Sequence, residues 1–146
     1  VPDAVDAITS NAGWDTLKHR DFLIEVITEL KSKGIRTSIF VDPDVRMIEG
    51  AAKTGTDRME LYTETFAHQY SLGNKEAVKP YIECAHLAHE LGLGINAGHD
   101  LSLQNIKYFK DSIPNLLEVS IGHALICEAI YDGLENVIKS YLQKLQ

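Results

Sequence analysis

Gly94-Ile95-Asn96-Ala97-Gly98-His99-Asp100 is the stretch whose reading decides the fold. A short apolar run ends in Asn-Ala-Gly-His-Asp, and a helical pattern opens behind it at Leu101. A strand that stops in small residues and then presents one imidazole is how an α/β protein exposes a reactive group. Gly98 has no Cβ, so another backbone or a ligand can come close to it. Further along, Val119-Ser120-Ile121-Gly122-His123-Ala124 repeats the order of strand, glycine, histidine and helix.

Outward from these two junctions the same alternation recurs. Residues 14–33 carry Leu17, Phe22, Leu23, Val26, Ile27 and Leu30 at helical spacing, closed by Gly34 as a C-cap. Residues 35–41 are rich in β-branched and aromatic side chains and read as a strand. Asp42 is expected to cap the next helix, with Pro43 in its first position and its end near Lys53. A strand over 58–62, a short helix over 65–70 and a longer one over 76–91 follow; Pro80 sits in the first turn of that helix or breaks it. A strand at 93–97, a helix at 103–110, a strand at 117–121 and two helices at 123–131 and 134–145 complete the pattern.

This is one leading helix and then four βα units, which implies a parallel sheet with right-handed crossovers. No linker, low-complexity tract or charge block divides it, so residues 1–146 read as part of a single domain. Four such strands make either a small open sheet or half of a (β/α)8 barrel. As half a barrel, the chain would expose the edges of its first and last strands.

The bulk composition narrows the function classes. An apolar fraction of 45% and a net charge of −7 suit a globular protein and argue against a nucleic-acid or anionic-membrane surface. A phosphorylated small molecule remains open, because helix N-termini bind phosphate even in acidic proteins. No apolar run approaches the roughly 20 residues of a membrane span. Cys84 and Cys127 read as isolated buried thiols of a reducing, cytoplasmic setting, and no ligand spacing suggests a metal.

In parallel α/β folds the site lies at the carboxyl ends of the strands. That rule collects Asp42, Glu60, Tyr62, Thr63, Glu64, His99, Asp100, Gly122 and His123. The set holds no lysine, which disfavours a Schiff-base aldolase and favours proton-transfer chemistry. His99 reads either as a general acid–base or as a packed strand-end histidine. Gly122-His123 reads either as a phosphate-binding helix start or as a tight strand–helix junction. Glu60 lies inside a strand, where burial of an unpaired carboxylate is costly, and a site role is the better reading. Helix capping accounts fully for Asp42. Thr9 and Ser10 are loop residues on local grounds, and His19, His86 and His89 fall on helical faces.

Four segments occur in order and at matching spacing: Thr37-Ser38-Ile39-Phe40-Val41-Asp42, Met59-Glu60-Leu61-Tyr62-Thr63, Gly94 through His99, and Val119 through Ala124. Together they resemble the C-terminal part of the PdxJ family, the pyridoxine 5′-phosphate synthases, over essentially the whole chain. The resemblance implies a (β/α)8 TIM barrel of which this chain is the C-terminal half. It implies condensation of 1-deoxy-D-xylulose 5-phosphate with 3-amino-2-oxopropyl phosphate, without metal or organic cofactor, in a homo-octamer. By that resemblance His99 matches the proton donor and Glu60 the transition-state-stabilising glutamate. Gly122 and His123 match positions that bind the aminoketone phosphate, and Thr9 a position that contacts the deoxyxylulose phosphate.

The sequence departs from the family in three places. Asp100 stands at an aminoketone-binding position that is usually glycine and would act through its backbone amide. Thr9-Ser10-Asn11-Ala12-Gly13 replaces the common Thr-Thr-Glu-Gly-Gly, and Ala4 and Val5 replace basic residues upstream. The histidine and glutamate bases and the phosphate-holding arginines of the family's first four strands have no counterpart here. A non-catalytic half-barrel module and another phosphosugar-handling barrel are the alternative readings.

Overall fold

The structure is a computed structural model describing residues 1–3 and 5–146; Ala4 lies outside the described residues. Among those described, the elements run α1 (Arg20–Ser32), β1 (Ser38–Val41), α2 (Val45–Ala52), β2 (Arg58–Tyr62), α3 (Glu64–Ser71), α4 (Lys79–Glu90), β3 (Gly94–Gly98), α5 (Ile106–Ser112), β4 (Leu116–Ser120), α6 (His123–Asp132) and α7 (Leu134–Lys144). A turn of 3-10 helix at Lys75–Val78 leads into α4, with Pro80 in that helix's first turn.

Every strand pairing is parallel, and the strands lie side by side in sequence order, β1-β2-β3-β4. A doubly wound sheet reverses its strand order at a switch point, whereas a barrel segment does not. The observed order therefore decides for the barrel.

Side-chain alternation along the strands divides the molecule into two faces. Ile39 and Val41, Met59 and Leu61, and Ile95 and Ala97 are buried in one core with Leu23 and Ile27 of α1, Ile48 of α2, Phe66 of α3 and Tyr81 of α4. Phe66 is fully buried, with the rings of Phe109 and Tyr81 at 4.9 and 6.0 Å between centroids. A second cluster of Ile106, Val137 and Tyr141 seats α7 against α5.

The opposite face is polar. Phe40 is opposite Glu60, Glu60 opposite Asn96, and Tyr62 opposite Gly98. Between β3 and β4 the register slips: Ile95 faces Leu116 but Asn96 faces Glu118, which leaves Leu117 as an extra residue. That bulge brings Glu118 and Ser120 into line with Asn96 and Gly98. Glu118 then receives the guanidinium groups of Arg58 (3.0 Å) and Arg36 (3.2 Å) and the amide of Asn96 (3.2 Å), forming a polar layer below Glu60.

Three local expectations are corrected. The leading helix begins at Arg20 and not at residue 14, because the Asp15 carboxylate accepts from the backbone N–H groups of Leu17 and Lys18 (3.1 and 2.9 Å) and holds a turn there. The cap of α2 is Asp44, which accepts from Arg46 N at 2.9 Å. Asp42 instead accepts from Gly13 N at 3.3 Å, tying the N-terminal segment to the end of β1. Cys84 is buried, and burial pushes its thiol up to about 12, but Cys127 is exposed on α6. Among the described residues no helix is long and apolar enough to cross a membrane.

At the opposite end of the sheet from His99, Asp57 accepts from Lys31 Nζ (2.8 Å) and from the backbone N–H of Thr37 (2.8 Å). The lysine first, then the amide, lower its carboxyl from 3.8 to about 2. A depressed carboxyl stabilises the fold above its unfolded value, and that contribution is lost as the pH falls from about 4 towards 2. Asp57→Asn is therefore expected to lower the urea midpoint at pH 7 and to flatten the acid limb. Parallel acid limbs for the two proteins would refute the assignment.

Candidate functional site

Five of the six predicted site residues come from three strands of the sheet and the segments that follow them. Glu60 is inside β2, His99 and Asp100 follow β3, and Gly122 and His123 open α6 after β4. Thr9 arrives from the N-terminal segment. With Ile8, Ser120 and Ile121 they line one cavity of about 870 Å³. That volume lies within the range of small-molecule sites.

Glu60 is half-buried, and burial raises its carboxyl above the usual carboxylate value. The Ser120 hydroxyl donates to Oε2 at 3.4 Å and opposes that rise. A carboxyl so placed keeps its proton to higher pH than a surface glutamate. Gly98 is what gives it room: a Cβ there would meet Glu60 Oε1 closer than real side chains approach and would sit tightly at 3.0 Å from Ser120 Cβ. The close approach expected at this glycine is thus made by a carboxylate.

The backbone turns left-handed immediately afterwards, with φ +88° at His99 and +57° at Asp100. Non-glycine residues seldom adopt these values, although Asp, Asn and His do so more often than the rest. The φ at Asp100 is one that glycine adopts at no steric cost, in keeping with the glycine that the resemblance implies at that position. The His99 ring lies edge-on to Tyr62, 4.8 Å between centroids, and Tyr62 packs likewise on Phe40 at 5.2 Å. Asp100 Oδ2 is 4.0 Å from His99 Nε2.

Gly122 is the N-cap of α6 and His123 its first residue, so the unpaired N–H groups of that helix begin at the cavity wall. His123 Nε2 lies 3.5 Å from Cys127 Sγ one turn on. Carboxyl, imidazole and helix N-terminus thus surround one space, an arrangement able to transfer protons to a substrate held by its phosphate. Among the described residues no group of three or more His, Cys, Asp or Glu side chains is placed to hold a metal.

Of the wider strand-end set, Asp42, Tyr62, Thr63 and Glu64 do not line the cavity. Ser120 does, and the sequence reading missed it; its position two residues before Gly122 at a strand end was the available signal.

A parallel sheet in sequence order, with its polar groups gathered at the strand ends, defines part of a (β/α)8-barrel domain with an active-site type of cavity. The family model described as "Pyridoxal phosphate biosynthesis protein PdxJ" matches residues 1–146, and the chain belongs to that family. It is 69% identical over 146 residues to the pyridoxine 5′-phosphate synthase of Flavobacterium johnsoniae, covering 100% of this chain and 62% of the relative. It is equally similar to that of Christiangramia forsetii, at 69% over 146 residues and with the same coverage of 100% and 62%. With the Porphyromonas gingivalis synthase it shares 54% over 145 residues, 99% of this chain and 61% of the relative. The chain thus spans about three fifths of the length of these curated relatives.

Proposed function

We propose that the chain supplies the aminoketone-phosphate side of a pyridoxine 5′-phosphate synthase site. There 1-deoxy-D-xylulose 5-phosphate and 3-amino-2-oxopropyl phosphate condense to pyridoxine 5′-phosphate, phosphate and water. The observation that carries this reading is the convergence of Glu60, His99 and the Gly122-His123 helix start on one cavity.

In this reading the N–H groups at the start of α6, with His123, hold the aminoketone phosphate. The Asp100 backbone amide adds to that hold, and Thr9 touches the deoxyxylulose phosphate from the other side of the cavity. His99 gives a proton to a leaving oxygen, as expulsion of water requires. Glu60 stabilises positive charge that develops on the condensing substrates. The base roles belong to the part of the relatives that this chain does not span. The proposal extends to a cytoplasmic homo-octamer working on small phosphorylated substrates without a cofactor.

The test is product formation from the two substrates. We expect the 146-residue chain alone to be silent. The Flavobacterium johnsoniae synthase with its matching segment replaced by this chain should turn over. A folded chimera without turnover would overturn the reading and favour a non-catalytic module. The open edges of β1 and β4, and the exposed Ile126, Ile130 and Tyr131 of α6, are the features that suit such a module.

A further inference from the structure

The left-handed turn that carries His99 is braced from two sides by buried polar side chains. Thr63, at the end of β2, is fully buried. Its hydroxyl donates to the carbonyl of Gly98 at 2.8 Å and has the carbonyl of His99 as a second acceptor, and its N–H donates to the Gly98 carbonyl at 3.1 Å. Asn105, 5% exposed, donates from Nδ2 to the Asp100 carbonyl at 3.3 Å and accepts from Ser102 N at 2.9 Å through Oδ1. The carbonyls of three consecutive residues, 98 to 100, are thus each engaged by a buried neighbour.

A backbone in a sparsely populated conformation persists only where its surroundings over-determine it. Here the surroundings are two side chains from different elements, neither of which reaches the cavity. The direction of the His99 Cα–Cβ bond follows from the backbone angles they hold, and the Tyr62 ring packs against the imidazole at 4.8 Å between centroids.

We propose that Thr63 and Asn105 are positioning residues: they lock residues 98–100 in the left-handed turn that aims the His99 imidazole into the cavity. This rests on the reading of His99 as proton donor. Removing a lock loosens the donor without touching substrate, and a misplacement of about 1 Å in a reacting group costs up to 10²-fold in rate.

The experiment is a mutant cycle in the chimera that joins this chain to the remainder of the Flavobacterium johnsoniae synthase. Thr63→Val keeps the shape and loses the hydroxyl; it should lower kcat by about 10-fold. Thr63→Ser should recover most of that loss. In a His99→Ala background, Thr63→Val should cost nothing more, because nothing is left to aim. A Thr63→Val rate within about twofold of the parent, or the same loss with and without His99, would overturn the proposal. A parental rate for His99→Ala alone would instead overturn the proton-donor reading beneath it. If Thr63→Val does not fold, Asn105→Ala takes its place in the cycle, and the same rates overturn or support the proposal.

Discussion

His99→Ala in the chimeric synthase is expected to lower kcat by about 10²-fold or more, the usual loss on removing a positioned general acid. The helix start at Gly122 and the carboxyl of Glu60 belong to other strands, so substrate binding is expected to be retained and KM to move far less than kcat. The imidazole sits on the cavity wall, whereas the Tyr62 ring packed beside it does not line the cavity. Steady-state kinetics on both substrates decides it. An unchanged kcat would remove His99 from the mechanism and leave it a packing residue at a strand end.

Phe66→Ala is expected to have the largest effect on stability. Phe66 joins α3 to α4 and α5 through the rings of Tyr81 and Phe109, and its backbone N–H is held by the Tyr81 hydroxyl at 3.3 Å. Truncating a buried phenylalanine costs about 3–5 kcal/mol, from lost transfer energy and from the cavity left behind. For a chain of this size that lowers Tm by roughly 10–15 °C. Urea unfolding of the two proteins measures the difference directly, and a loss under about 1 kcal/mol would show that the aromatic cluster collapses into the gap. The cluster lies on the helix side of the sheet, so the cavity residues keep their arrangement.

The strands and helices were legible because both faces of the sheet obey simple periods. Met59 and Leu61 alternate with Glu60, and Leu23 and Ile27 recur on one side of α1. The junctions at His99 and His123 were legible from glycine and histidine placed together. What escaped was whatever depends on a partner distant in sequence. Asp42 and Asp44 flank the same proline, and only the arrival of Gly13 decides which of them caps α2. The extra residue at Leu117 carries no glycine to announce it, because the slip is fixed by what β3 offers opposite. Thr63 reads as a strand-end residue and Asn105 as part of a helix, and their acceptors on the 98–100 turn are visible only in the structure. Cys127 sits in a helix apolar enough to read as buried, yet no residue of α6 is buried.

The left-handed angle at Asp100 also has a meaning at the level of the gene. Glycine, asparagine and aspartate are the residues that accept such a backbone most cheaply. Their codons differ from one another at the first or second base, and aspartate reaches either of the others by one nucleotide change. A lineage can therefore exchange the aspartate found here for glycine or asparagine without passing through an amino acid that the turn rejects. Codon 99, by contrast, has no such neighbour that keeps the imidazole, so every amino-acid replacement there removes the side chain that the turn carries.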